Sequence, residues 1–229
     1  VGKFLAPLGL TPERLHPEWI QKLPELPMAF GHDGLVPTSV VGAQVRGGLP
    51  LGPSKLGYAL FVANGPTLNT GDDEAEEAGM LHFDNFVDEN RDKAVGGRIG
   101  FLPLPWVALG ISAQRARGRA EGTSRDEIGT LRGAADATIS RDTAAGSVDL
   151  RLEWIRLEVE EATYDPDGSL GFGPVSFENE RSGGYAQIAW RASKLPVQAL
   201  RGIEVVGRYD LLDLPADALS PAVWPLIGV

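Results

Sequence analysis

Apolar and polar residues alternate with a period of two in nine segments of this chain, and that pattern constrains the fold towards an all-β architecture. The segments are residues 1–5, 40–48, 55–63, 95–101, 107–115, 148–154, 156–164, 183–191 and 203–211. Most run about seven to ten residues, close to the length of a tilted strand that crosses a bilayer. Helical periodicity is confined to short pieces. Thr11-Pro12 reads as an N-cap with proline at the first helical position, leading one or two turns towards Ile20, and residues 72–80 read as another acidic turn.

The connections between the segments alternate in length. Residues 6–39, 64–94, 116–147 and 165–182 are long, whereas 49–54, 102–106, Ile155 alone and 192–202 are short. Structureless loops of that length argue against the strand assignment in a soluble domain. Confined to every second connection, they fit an up-and-down antiparallel transmembrane β-barrel, with short turns at one rim and long loops at the other.

Such a wall is apolar towards lipid and polar towards its interior, and the strands can be read that way. Val148, Leu150, Leu152 and Trp154 share one face, and Asp149, Arg151 and Glu153 share the other. Leu56, Tyr58, Leu60 and Val62 oppose Gly57, Ala59, Phe61 and Ala63, and Ile203, Val205, Gly207 and Tyr209 oppose Glu204, Arg208 and Asp210. Glu160-Glu161 breaks the alternation near one strand end, where a charge facing lipid costs least. Trp106, Trp154 and Trp190 adjoin the short turns and Tyr164 lies at the opposite rim, as an aromatic girdle requires.

Composition narrows the class further. The 229 residues carry 21 Lys and Arg against 31 Asp and Glu, a net charge of −10 that excludes nucleic acid as an expected partner. The apolar run 101–111 is interrupted by Pro103 and Pro105 and falls short of the ~18 residues of a spanning helix. With no cysteine there is neither a disulfide framework nor a thiolate site. The chain opens on Val1-Gly2-Lys3-Phe4-Leu5 and closes on Leu226-Ile227-Gly228-Val229. The expectation is an exported protein whose signal peptide is absent from this chain. Residues 1–229 are expected to form a single β-barrel domain, incomplete at both ends and a fragment of a larger barrel. Strands 1–5 and 203–211 should then lack partners unless missing chain, a second copy, or strands formed from 136–141 or the tail close the ring.

No residue set announces catalysis. His16, His32 and His82 share no ligand spacing, so no metal is expected. Asp165-Pro166-Asp167-Gly168-Ser169 lacks the remaining ligands of a calcium loop and reads as a turn. Gly71-Asp72-Asp73-Glu74-Ala75-Glu76-Glu77 reads as a solvated loop. Asp149/Glu153 and Glu158/Glu160 are spaced as carboxylate pairs, with nothing to separate a catalytic pair from a charged channel wall. Nucleophile elbow, P-loop and dinucleotide fingerprints are absent, and Gly47-Gly48 and Gly96-Gly97 read as sites of bending and close packing. The protein is accordingly expected not to be an enzyme and to use no cofactor. The candidate functional residues are pore-lining: Lys3, Arg46, Arg98, Asp149, Arg151, Glu153, Arg156, Glu158, Arg191, Glu204 and Arg208, accompanied by Glu160 and Asp210. Their near balance of sign predicts weak ion selectivity. Residues 6–39 are the candidate constriction loop, because Leu15, Trp19, Ile20 and Leu23 need something to pack on.

Several stretches resemble the phosphate-selective porin O and P type of Gram-negative outer-membrane porins. They are Gly2-Lys3-Phe4-Leu5-Ala6-Pro7-Leu8-Gly9-Leu10, Gly96-Gly97-Arg98-Ile99-Gly100-Phe101, Leu150-Arg151-Leu152-Glu153-Trp154 running into Leu157-Glu158-Val159, Gly184-Tyr185-Ala186-Gln187-Ile188-Ala189-Trp190-Arg191 and Val205-Val206-Gly207-Arg208-Tyr209-Asp210. The resemblance implies a barrel in the bacterial outer membrane, in contact with its lipid. Such a barrel would often be a homotrimer and would pass small hydrophilic or anionic solutes. A phosphate preference comes only from the family, since no dense basic ladder is present. The alternatives are a non-conducting scaffold barrel that holds partner proteins, and a soluble β-sandwich or lipocalin-like binding barrel.

Overall fold

Alternate Val, Ile and Leu residues pair the chain into strands throughout the computed structural model, which describes residues 1–12, 21–30, 34–69, 79–83, 93–120, 128–164 and 174–215. In chain order the strands are β1 (Gly2–Leu5), β2 (Ser39–Leu51), β3 (Ser54–Asn64), β4 (Thr67–Leu68), β5 (Leu81–His82), β6 (Lys93–Leu104) and β7 (Val107–Ala120). They continue as β8 (Ile128–Thr143), β9 (Gly146–Val159), β10 (Thr163–Tyr164), β11 (Val175–Ser176), β12 (Asn179–Arg191) and β13 (Glu204–Asp213). The long strands form one antiparallel meander in the order β1-β2-β3-β6-β7-β8-β9-β12-β13. The short ones decorate its loops: β4 pairs with β5 and, in parallel, with the end of β7, while β10 and β11 form a separate hairpin. No helix among the described residues is long and apolar enough to cross a membrane.

Two boundaries differ from the expectation. Segments 148–154 and 156–164 are one continuous strand, β9, up to Val159, and Ile155 is a buried residue within it rather than a turn. Residues 116–147 are not a long connection: β7 runs on to Ala120 and β8 fills most of the remainder, taking in the suspected strand at 136–141. Merging one pair and adding one strand leaves nine strands in the meander. The alternation of connections survives, with turns at 52–53, 105–106 and 144–145 at one end, called here the turn end. The opposite, loop end carries 6–38, 65–92, 121–127 and 160–178. Among the described residues the sheet is open, because β1 bonds only to β2 and β13 only to β12.

One face of the sheet is covered by residues 6–12, 21–30 and 79–83, and the other is bare. Register assigns the faces: Ala43, Val62, Val95 and Arg115 align across four strands on the bare face, and Gln44, Phe61, Gly96 and Gln114 on the covered one. Towards the turn end the bare face is apolar, and Leu60, Ile99, Ile111, Leu152, Trp154, Ile188 and Tyr209 are all exposed there. Towards the loop end it turns polar, with Lys93, Arg115, Arg117, Arg156, Glu158 and Glu180. The covered face does the reverse. Its loop end is a hydrophobic core in which Phe61, Ala94, Ile128, Ile155, Leu157 and Val159 meet Leu8, Phe30, Leu35 and Leu68 from the loops.

Candidate functional site

Most charged residues of the covered face gather at mid-strand and towards the turn end, with Arg132 and Arg181 nearer the loop end. At mid-strand Arg98 on β6 reaches across β7 to Asp136 on β8, with Nη1 and Nη2 donating to the two carboxylate oxygens at 2.5 and 2.8 Å. The bridge passes over Gly110, where any Cβ would collide with both the guanidinium and the carboxylate. Such bidentate geometry is among the stronger polar contacts available to a protein.

Glu153 on β9, only 4% exposed, holds the first loop against the sheet. Its carboxylate accepts the backbone N–H of Leu10 at 2.5 Å and of Thr11 at 3.1 Å, and the Thr11 hydroxyl at 2.6 Å. The same hydroxyl lies 3.2 Å from the Tyr185 phenol of β12, and Gly9 N–H donates to Ser112 on β7 at 2.9 Å. Gly9 has φ +73°, and a side chain there would strike the Glu153 carboxylate, so the close crossing requires glycine. Residues 9–11 therefore span four strands of the covered face, bonding to β7, β9 and β12 and passing over β8.

Nearer the loop end, Arg132 on β8 is buried, donates to Gln114 at 2.7 Å and lies 4.1 Å from the centre of the Phe83 ring. Arg181 on β12 donates to Asn179, whose amide in turn donates to the Gly79 carbonyl at 2.9 Å and the Tyr164 hydroxyl at 3.0 Å. Tyr164 stacks on Phe177 at 4.2 Å, and burial pushes its phenol above the ordinary value. Residues 79–83 are thus tied to β8 and β12 on the covered face.

At the turn end the pairs are Asp149 with Arg151 at 2.9 Å, Arg191 with Glu204 at 3.0 Å, Lys22 with Glu204, and Arg208 with Asp210 at 2.8 Å. Arg208 also donates to the carbonyls of Glu25 and Leu26, so residues 21–30 run beside β13. A cavity of 390 Å³ opens between these residues and the turn-end parts of β8 and β9.

The covered face brings together Arg46, Arg98, Asp149, Arg151, Glu153, Arg191, Glu204, Arg208 and Asp210 from the sequence-derived set. It does not include Lys3, Arg156, Glu158 or Glu160. Lys3 pairs with Val41 on the bare face because the inward position of β1 belongs to Phe4, which packs edge-on against Phe61. Arg156 and Glu158 are bare-face residues because β9 runs without a break through Ile155 and keeps its alternation. The Glu160 carboxylate accepts the Gly129 N–H. The two carboxylates of Asp149/Glu153 serve separate partners.

Tyr164 is another correction. It is fully buried under the loops rather than placed in an outer girdle, whereas Trp154 and Trp190 do lie on the bare face. Trp106 sits in its turn beneath the Arg141 guanidinium, 4.7 Å from the ring centre. Gly47 and Gly96 are sites of close packing, against the rings of Tyr58 and Phe61.

Segment 6–39 packs on the charged face over its described parts. Leu15, Trp19, Ile20, His16 and His32 lie outside the described residues, as do Asp165 to Ser169 and Gly71 to Glu77. His82 is paired with Thr67 in β5. Among the described residues no group of three or more His, Cys, Asp or Glu side chains converges as metal ligands do. Sequence reasoning missed Asp136, Arg132, Arg181 and Tyr185. A usable signal existed for Asp136: an acid two strands from Arg98, with Gly110 on the strand between them. No family model, curated protein or solved structure matches this chain.

Proposed function

We propose that this chain is the wall of an outer-membrane porin, an aqueous channel for passive diffusion of small hydrophilic solutes or ions. The observation that carries the reading is the reversal of polarity along the strands. At the turn end a continuous apolar surface is bare while Arg98, Asp136, Arg151 and Glu153 are turned away from it. Water outside a fold would favour the opposite arrangement, whereas a wall with lipid on one side and water on the other requires this one. An exposed apolar surface this extensive marks a membrane or partner contact. The loop end, polar outside and apolar inside, is then the part that stands clear of the bilayer. Closure needs partners for β1 and β13 beyond those the described residues give them, from the tail, further chain or other copies, and a homotrimer of closed barrels fits the family resemblance.

In this reading the covered face guides solutes and performs no chemistry. Its cations sit beside carboxylates rather than in a ladder, which favours weak selectivity over a phosphate preference. A second reading, the non-conducting scaffold barrel, is favoured by the depth to which residues 9–11 and 79–83 cross the charged face.

The test is planar-bilayer conductance of the detergent-refolded protein. Discrete conductance steps are expected, and Arg151→Glu should shift the reversal potential in a salt gradient towards cations. Protein that shows heat-modifiable gel mobility yet never conducts is the scaffold. Protein that stays soluble and monodisperse without detergent overturns both readings.

A further inference from the structure

We propose that the 390 Å³ cavity at the turn end of the covered face binds a small zwitterion, a molecule with an ammonium at one end and a carboxylate at the other. The volume lies in the lower part of the range usual for small-molecule sites. Its lining differs from the common apolar pocket, for Val148 is the only aliphatic residue in it.

In the lining Lys22 and Arg191 stand against Asp142, Asp149 and Glu204, and Arg151, paired with Asp149 at 2.9 Å, brings the charges of the covered face there into balance, whereas Arg141 occupies a bare-face position of β8. A lone anion or cation therefore meets no net attraction. The charges are also sorted in space. Asp142 and Asp149 come from β8 and β9, where they accept the hydroxyls of Ser147 and Ser140 at 2.6 Å each. Asp149 also accepts Arg151 Nε at 2.9 Å, and since each carboxylate offers about four acceptor sites, both keep capacity for an ammonium, Asp142 the more of the two. Arg191 and Lys22 converge on Glu204 from the other side, two cations on one carboxylate. The Arg191 side chain is 55% exposed, and its guanidinium has donors enough to take a second carboxylate.

Strand register sets the separation of the two ends. Asp149 lies opposite Ala189 on β12, and Arg191, two residues along β12, lies opposite Glu204 on β13. The acidic and basic ends are thus one to two strand spacings apart, ~5–10 Å. That spacing suits an extended ω-amino acid such as 4-aminobutyrate. Arg141 is the remaining cation of the lining, and it is engaged with the Trp106 ring. Complementary charge at two points confers specificity for a ligand that carries both.

This inference rests on the covered face being the solvated one, as in the porin reading, and the experiment separates the two. Detergent-refolded protein is titrated calorimetrically with 4-aminobutyrate, butyrate and butylammonium, and the same preparation is assayed for conductance. Binding of 4-aminobutyrate at least ~10-fold tighter than either single-charge analogue supports the proposal, as does a ~10-fold loss in both Asp149→Asn and Arg191→Gln. Equal binding of an analogue, or no binding of 4-aminobutyrate, overturns it. The wild-type ligand series alone decides the matter if a variant fails to fold. Conductance without 4-aminobutyrate binding leaves the pore standing and removes the site, whereas binding without conductance does the reverse.

Discussion

The two ends of the same strands are built on opposite plans, and β9 shows how little sequence that takes. Leu150-Arg151-Leu152-Glu153-Trp154 at its turn end is followed by Ile155-Arg156-Leu157-Glu158-Val159 at its loop end, almost the same pattern written twice. The unit has five residues. Because strand side chains alternate with a period of two, a repeat of odd length sends the same residue types to opposite faces. Leu152 and Trp154 are 41% and 47% exposed on the bare face, while Ile155, Leu157 and Val159 are buried under the loops. Glu153 is buried and Glu158 is exposed. Amphipathicity alone therefore does not say which side of a sheet meets water, and the comparison shows that one strand can change its answer midway.

The largest expected effect comes from the mid-strand bracket. Gly110→Val would drive Arg98 and Asp136 apart and leave a buried carboxylate unpaired, costing about 3 to 5 kcal/mol. Urea unfolding followed by tryptophan fluorescence measures it. Gly133→Ala is the control, since a Cβ there meets no atom within 4 Å. Equal destabilisation by the two would show that the bracket is not what holds this region.

A direct attack on the comparison itself is Leu152→Arg against Arg115→Leu. The first puts a charge in the apolar belt and should cost about 2 to 4 kcal/mol of folding into lipid vesicles. The second removes a charge from the polar loop end of the bare face and should stay within about 0.5 kcal/mol. Equal effects would erase the boundary between the two ends.

Smaller is the loss in Thr11→Val, which deprives the buried Glu153 of one of its donors at about 1 to 3 kcal/mol. Faster amide hydrogen exchange at Leu10 and Thr11 is the expected readout, and unchanged exchange would detach the loop from this contact. The smallest is Arg156→Ala. Its partners Glu158 and Glu180 are half-exposed, so losing both pairs should cost about 0.2 to 1 kcal/mol and vanish at high salt.

What could be read in advance followed the contrast between neighbouring residues. Strands such as β3 and β13, with large apolar residues against small or charged ones, stood out. β8 did not, because Gly129, Gly133, Ala135 and Ala137 dilute Leu131 and Ile139 on its bare face, and Ile128 and Ala134 interrupt the polar Thr130, Arg132, Asp136 and Thr138 on its covered one. Small against polar gives a weak period-two signal. Ile155 passed for a turn because two apolar-ended units meet there, and that error put Arg156 and Glu158 on the wrong face. Lys3 was misplaced because five residues do not establish which parity faces inward. The contacts of residues 9–11 with Ser112, Glu153 and Tyr185 span more than a hundred positions, and only the strand register brings them together. Even so, most of the charged set found its face, since an Arg or Glu between two large apolar residues has one side to go to.

The Arg98–Asp136 bridge joins strands that are not neighbours, and this makes it a proofreading device for assembly. It closes only when two successive hairpins, β6–β7 and β7–β8, have both found their register. A slip of one residue in either would swing one of the two charges to the opposite face. During folding, a misaligned three-strand intermediate would leave an unpartnered ion on the apolar bare face, and the correctly aligned one alone would be free of that penalty.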